Sequence, residues 1–90
     1  MMNLNEIQNE VANLDNWSIE TDSISKVFVL ENFRGALEFV NKVGEIAEKH
    51  NHHPDIVINY NNVKLTLTTH YEKGLSRKDF EVAKEIDKIV

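Results

Sequence analysis

The sequence predicts an α+β fold, a four-stranded antiparallel sheet with helices packed on one face, in the order α-β-β-α-β-β-α. Two hairpin patterns alternate with three amphipathic helical patterns along the chain. Each helix has one apolar stripe, and a sheet face is the simplest surface on which to bury it. No linker rich in proline, glycine or serine interrupts the sequence, so residues 1–90 are expected to form one domain.

The first half of the chain reads as a helix followed by a hairpin. Behind the candidate N-caps Asn3 and Asn5, apolar residues recur at helical spacing over residues 4–14. Segments 17–20 and 24–31 are rich in aromatic and β-branched residues and flank a polar turn. We therefore expect two paired strands here, with Trp17 in the core or at an interface.

The second half begins with a longer helix and the clearest hairpin. Asn32 can cap a helix from residue 33 to about residue 49, whose apolar residues repeat every three or four positions. Segments 56–60 and 63–70 favour strands. Only Asn61-Asn62 separates them, and asparagine tolerates the left-handed conformation of a two-residue turn.

The last helix follows Gly74, which ends the preceding strand. Ser76 and Asp79 have the spacing of a capping box, and an apolar stripe runs from Phe80 to Val90. On spacing alone, the simpler interpretation of Asp79 is that it caps this helix.

The turn residues set the register of the second hairpin. With the two asparagines as the loop, Ile58 opposes Leu65. Continued past Pro54, the same register sets His53 against His70. We therefore expect imidazoles from two separate segments to lie close together.

The histidines are the candidate chemical groups. His50, His52 and His53 cluster where the long helix ends, and His70 ends the last strand. Imidazole titrates near pH 6.5, so neighbouring histidines can act as an acid and a base near neutrality. Glu48 lies four residues before His52, so its carboxylate can reach that ring if the helix continues far enough.

Two other interpretations of the histidines stay open. Histidine near a helix C-terminus is stabilised by the helix dipole, so each histidine alone is often structural. Histidine is also a common zinc ligand, but His52-His53 preceded by His50 is not a usual ligand spacing and the chain has no cysteine.

Composition excludes several classes of function. The chain has 10 lysines and arginines against 15 aspartates and glutamates, a net charge of −5, which gives no electrostatic reason to expect nucleic acid as a partner. The longest apolar run, Val27 to Leu30, is too short to cross a bilayer, so no membrane is expected. Without cysteines the default location is the cytoplasm. A domain this small, without disulfides to stabilise it, favours self-association.

One set of residues resembles a known signature. It consists of Glu48, His52-His53-Pro54, Tyr60, His70 and Asp79, separated by three, five, nine and eight residues. This pattern resembles that of the pterin-4a-carbinolamine dehydratases, also called 4a-hydroxytetrahydrobiopterin dehydratases. The resemblance extends over essentially the whole chain.

The resemblance implies a function and a set of roles. The reaction is loss of water from a 4a-hydroxytetrahydropterin to give quinonoid dihydropterin in tetrahydropterin recycling, with no metal or organic cofactor. By position, the catalytic residues would be His52, His53 and His70. His52 and His70 would be the acid and base, and His53 would bind and orient the pterin and share in proton transfer. The supporting or substrate-binding positions would be Glu48, Pro54, Thr69 and Asp79.

The resemblance also implies dimers or dimers of dimers, and it leaves alternatives. Relatives of the same fold include regulatory partners of other proteins, and a pterin-binding protein without turnover is a third possibility. Tyr71 stands where the family often has an acidic residue, and His50 is an additional imidazole.

Overall fold

The computed structural model describes residues 2–90, and its element order matches the sequence expectation. Over these residues it contains three α-helices, four strands in one antiparallel sheet and one turn of 3₁₀ helix at His70–Glu72. The elements are α1 (Leu4–Ala12), β1 (Ser18–Ile19), β2 (Ile24–Val29), α2 (Phe33–His50), β3 (Asp55–Asn59), β4 (Asn62–Leu67) and α3 (Arg77–Lys88). The predicted α+β class is confirmed.

Each helix begins behind a cap that the sequence indicated, and of the two candidates for α1 the cap is Asn3 and not Asn5. The Asn3 side chain accepts a hydrogen bond from the Glu6 backbone N–H at 2.9 Å, and Asn32 accepts one from Gly35 at 2.8 Å. Ser76 and Asp79 form the expected capping box at the start of α3. These side chains satisfy backbone donors that have no partner within the helix.

The sheet has the strand order β1-β2-β4-β3, so β2 and β4 lie in its centre. Alternate residues of the central strands face the helices and are buried because α2 and α3 pack over that side. The opposite face is open, and on it Val27 of β2 and Val57 of β3 flank Lys64 of β4. The buried inward residues are Ile24, Phe28, Val63, Leu65 and Leu67.

The register of the β3–β4 hairpin differs from the expectation by two residues. The loop is Tyr60-Asn61, and Ile58 opposes Val63 instead of Leu65. Asn61 makes two hydrogen bonds to the backbone of Leu30. The Asn61 backbone carbonyl accepts from the Leu30 N–H at 2.8 Å, and the Asn61 side-chain Nδ2 donates to the Leu30 carbonyl at 3.0 Å. This tie to the end of β2 fixes the turn one residue earlier than the two asparagines suggested.

The shifted register corrects one predicted contact. Continued past the end of β3, it aligns His53 with Thr68 and not with His70. A shift of two residues leaves every side chain on its predicted face, because the faces of a strand alternate with period two.

Trp17 lies in the core, as expected. It is 5% exposed and packs edge-on against Phe28, with ring centroids 6.0 Å apart. Its indole N–H donates to Asp87 near the end of α3 at 3.0 Å. Among residues 2–90, no helix is long and apolar enough to cross a membrane.

Candidate active site

Three of the four histidines line one open cleft of about 230 Å³. His52 and His53 reach it from the segment between α2 and β3, and His70 reaches it from the 3₁₀ turn after β4. The remaining wall consists of Asn51, Thr68 and Tyr71. The predicted convergence of imidazoles from two segments is therefore present, although the strand register that suggested it is not.

His50 lies outside this cleft. Its Nε2 is 3.3 Å from Glu85 Oε1 on α3, and its ring is mostly covered. The structural interpretation of a histidine at a helix C-terminus fits this residue.

His52 is held by a buried carboxylate from α3. Its Nε2 lies 2.5 Å from Asp79 Oδ1, with His52 9% exposed and Asp79 fully buried. This is the only hydrogen bond of the His52 ring within residues 2–90. The carboxylate therefore holds Nε2, and Nδ1 is the ring nitrogen left to exchange a proton with a molecule in the cleft.

The other oxygen of Asp79 is fixed by a small polar network. Thr69 Oγ1 donates to Asp79 Oδ2 at 2.8 Å, and the Ser76 backbone N–H donates to the same oxygen at 2.9 Å. Thr69 has one hydroxyl proton, so in the 2.6 Å contact between the two hydroxyls Ser76 Oγ is the donor. Asp79 Oδ2 thus accepts two hydrogen bonds, while its Oδ1 faces the His52 ring.

Asp79 thus has two roles at once. Oδ2 caps α3, as the spacing suggested, and Oδ1 holds His52. The helix N-terminus favours a negative charge at this position, and burial prevents water from competing for the carboxylate. A rigid histidine–carboxylate pair of this kind fixes the tautomer of the ring and stabilises the imidazolium that forms when the ring takes up a proton.

A second histidine–carboxylate pair lies at the exposed rim of the cleft, and it differs from the expected contact between Glu48 and His52. Glu48 pairs with His53, at 2.5 Å from Oε2 to Nε2, and not with His52. The reason is that α2 ends at His50 and Asn51 takes a left-handed conformation with φ 49°, which turns the chain before His52. Both partners are exposed, with 54% of the His53 side chain and 76% of the Glu48 side chain open to solvent.

The remaining predicted residues frame the cleft. His70 and Tyr71 are exposed in the 3₁₀ turn, and the His70 ring makes no hydrogen bond within residues 2–90. Thr69 is buried and forms an isolated bridge with Gly74, which closes the loop containing that turn. Pro54 is partly buried between His53 and β3.

Sequence reasoning missed three contributions. Thr68 and Asn51 were not expected in the cleft wall, and the hydroxyl of Ser76 was read only as a helix cap. The corrected register explains Thr68, since it aligns with His53. Among residues 2–90, no group of three or more His, Cys, Asp or Glu side chains is arranged to hold a metal ion.

Comparison with known proteins identifies the family of this chain. The family model described as pterin 4 alpha carbinolamine dehydratase matches residues 1–89. The chain belongs to this family. Two relatives carry the name "Putative pterin-4-alpha-carbinolamine dehydratase". The one from Sulfolobus acidocaldarius is 45% identical over 85 residues, covering 94% of this chain and 93% of the relative. The one from Chloroflexus aurantiacus is 47% identical over 85 residues, with 94% and 91% covered.

Solved structures agree with this membership. A structure from Brucella melitensis described as a transcriptional coactivator/pterin dehydratase has a TM-score of 0.92 at 30% identity and covers 98% of this chain and 96% of that one. A pterin dehydratase-like protein described as a RuBisCO assembly factor has a TM-score of 0.67 at 16% identity, with 84% and 88% covered. The second likeness concerns the fold alone.

Proposed function

We propose that residues 1–90, acting as one domain, catalyse the dehydration of a 4a-hydroxytetrahydropterin to quinonoid dihydropterin and water. Family membership supports the substrate class. The observation that carries the proposal is the buried His52–Asp79 pair, because it leaves one imidazole nitrogen with a fixed role at the cleft. The reaction is an elimination that requires only two proton transfers.

His52 is the general base in this proposal. Its Nδ1 takes the proton from the pterin ring nitrogen next to C4a, and the electron pair of that N–H bond forms the new C=N bond. His52 becomes an imidazolium while its Nε2–H stays bound to Asp79. The fixed carboxylate stabilises that positive charge, so it lowers the barrier to the transfer.

His70 is the general acid. Hydroxide is a poor leaving group, so an imidazolium gives a proton to the 4a oxygen as the C–O bond breaks, and water departs. His70 suits this step because it lines the cleft with its ring free of other hydrogen bonds within residues 2–90. Transfer between the two histidines or through solvent then restores both protonation states. Each proton transfer is worth about 10²- to 10⁴-fold in rate.

His53 binds and orients the pterin, and Glu48 holds its ring. The pair is exposed at the rim, so its contribution is to position the substrate instead of exchanging protons with it. Thr69 and Pro54 act as supporting residues, the first through Asp79 and the second by restricting the chain between His53 and β3.

The proposal extends to the setting of the reaction. Family membership supports cytoplasmic tetrahydropterin recycling and a homodimer or homotetramer as the working form. The substrate is a small molecule, and the mechanism uses no metal or organic cofactor.

The alternative is a regulatory partner or a pterin-binding protein of the same fold. The Brucella structure is described both as a coactivator and as a dehydratase, so the two roles have to be distinguished by experiment. The buried His52–Asp79 pair favours catalysis, because a binding surface has no need of an oriented base that lines a cleft.

The direct test is the decay of chemically generated 4a-hydroxytetrahydropterin with and without the protein. Catalytic amounts of the chain are expected to accelerate the decay, and dialysis against a chelator is expected to leave the rate unchanged. A decay unaltered by stoichiometric protein would reject the enzyme. A rate that is lost on dialysis and restored by zinc would reject the cofactor-free mechanism.

A further inference from the structure

Asn51 contributes a polar side chain to the cleft that the mechanism above does not use. The residue directly follows α2, is exposed, and lines the cleft together with His52. Its backbone N–H is bonded within the end of the helix, but its carboxamide makes no hydrogen bond to any group of residues 2–90. Both polar atoms of this side chain are therefore available to a molecule in the cleft.

The backbone of Asn51 is held on both sides. Its own N–H donates to the Glu48 carbonyl at 3.2 Å, and the N–H of His52 donates to the Ala47 carbonyl at 3.0 Å. These bonds close the end of α2 around a left-handed residue with φ 49° and ψ 44°. The carboxamide thus extends from a fixed backbone, and the next residue carries the ring that Asp79 holds in place.

The end of the helix explains the backbone of Asn51 but not its side chain. A left-handed position favours glycine or asparagine over other residues. Asn16 is also left-handed, with φ 62°, and it is exposed at a place that does not line the cleft. Glycine would meet the backbone requirement at either position. The requirement therefore gives no reason for an unpaired carboxamide beside His52.

Asn51 has a hydrogen-bonding capacity that the other residues lining the cleft lack. A carboxamide places one donor and one acceptor on neighbouring atoms in a single plane. The two nitrogens of an imidazole ring point away from each other, and Tyr71 has a single hydroxyl. The Thr68 hydroxyl donates to the Asp22 carbonyl at 2.7 Å, so only its lone pairs remain for the cleft.

A pterin ring has an edge that matches this pair of atoms. Along it the C4 carbonyl, N3 and the 2-amino group stand next to one another. A protonated N3 is a donor beside the carbonyl acceptor, and an unprotonated N3 is an acceptor beside the amino donor. We propose that the carboxamide of Asn51 makes two parallel hydrogen bonds to this edge and thereby selects the pterin ring. This inference rests on the proposed function.

The place of Asn51 in the chain agrees with the roles proposed for the histidines. On the pterin ring the C4 carbonyl lies beside the nitrogen from which His52 takes a proton. Asn51 directly precedes His52, so neighbouring residues of the chain meet neighbouring groups of the substrate. Two bonds to one edge fix the rotation of the ring in its own plane. The reacting nitrogen is then presented to His52 and the 4a oxygen to His70.

The contact is tested by a substitution that spares the backbone. Asn51→Gly removes the carboxamide at a position that glycine adopts without strain, and Asn16→Gly makes the same change at a left-handed asparagine outside the cleft. Calorimetry under nitrogen measures the affinity for tetrahydropterin, which has the same edge but no 4a hydroxyl to lose. We expect Asn51→Gly to bind it about 5- to 50-fold more weakly than the wild type, and Asn16→Gly to bind it equally well.

A tetrahydropterin methylated at N3 tests which edge of the ring is bound. The methyl group blocks N3 and occupies the space that the carboxamide needs, so the wild type should bind this ring about 10-fold more weakly than tetrahydropterin. Asn51→Gly lacks the carboxamide and leaves room for the methyl group. It should bind the two rings with affinities within about twofold of each other. An asparagine that served only to end the helix would leave the preference unchanged in the glycine variant.

The outcomes separate this inference from the proposed function. Wild-type affinity of Asn51→Gly, or a glycine variant that still rejects the methylated ring, would overturn the role of Asn51 and leave the dehydration intact. A wild type that shows no binding of tetrahydropterin would overturn it as well. A wild type that binds with the expected preference but does not accelerate dehydration would reject the proposed function and leave the recognition of the ring intact.

Discussion

His52 Nε2 lies 2.5 Å from Asp79 Oδ1 although the two residues are 27 positions apart in the sequence. The contact is buried, and the second oxygen of Asp79 is bound by Thr69 and Ser76. The start of α3 therefore fixes the position of a ring that belongs to the segment after α2. The proposed chemistry depends on this relationship, and the variants below separate its parts.

Asp79→Asn is expected to lower the rate of dehydration by about 10²- to 10⁴-fold. An amide N–H facing His52 Nε2 makes that nitrogen an acceptor, so the ring proton moves to Nδ1 and the base is lost. The initial rate of pterin decay measures the effect, and circular dichroism checks the fold. The control is Glu81→Gln, an exposed acid two residues further along α3, which should keep the wild-type rate. An active Asp79→Asn variant would show that the tautomer of His52 is irrelevant.

Thr69→Val should lower both stability and turnover. The substitution keeps the shape of the side chain but removes the hydroxyl that donates to Asp79 Oδ2, and it leaves the Ser76 hydroxyl without its acceptor. We expect a loss of about 1 to 3 kcal/mol in the free energy of unfolding, measured in urea. Thr66→Val, on the open face of β4, is the control and should change stability by less than about 0.5 kcal/mol. Equal effects of the two variants would contradict the network.

Glu48→Gln is expected to raise KM and leave kcat nearly unchanged. The pair with His53 is exposed, so its loss should cost no more than about two- to fivefold in KM. Steady-state kinetics separates the two parameters, with Glu45→Gln as a control on the exposed side of the same helix. A large fall in kcat would instead assign His53 to proton transfer.

The ion pair between α2 and α3 predicts a dependence of stability on pH. The Lys49 ammonium, which donates to Glu85 at 2.8 Å, holds the pKa of that carboxyl below its usual value of 4.5. A lowered folded-state pKa means that the pair stabilises the protein above pH 4.5 and that this contribution is lost as the pH falls through the folded value. Urea midpoints measured between neutral and acidic pH should therefore fall less steeply in Lys49→Met. Identical pH profiles would show that the pair does not contribute.

The helix starts and the hairpins could be predicted because their signals are local. Asn3, Asn32 and Ser76 cap helices through bonds to residues three positions away, so sequence spacing is sufficient to find them. The register of the last hairpin could not be predicted in the same way. It depends on the bonds between Asn61 and Leu30, which join residues 31 positions apart.

The residues that form the site could be predicted from the sequence, but not which carboxylate pairs with which histidine. Sequence spacing put Glu48 beside His52, whereas the left-handed Asn51 turns the chain and pairs Glu48 with His53. Asp79 had a sufficient local explanation as a cap, and spacing gives no signal of its second oxygen. The Asp79 carboxylate meets the His52 ring only through the long-range packing of α3 against α2.

A double-substitution cycle at His52 and Asp79 tests the central claim most directly. The rate of 4a-hydroxytetrahydropterin decay is measured for the wild type, His52→Gln, Asp79→Asn and the double variant under one set of conditions. If Asp79 acts through His52, the double variant will be no slower than the slower single variant, because both substitutions remove the same base. Losses that multiply in the double variant, or a His52→Gln variant with the wild-type rate, would contradict it.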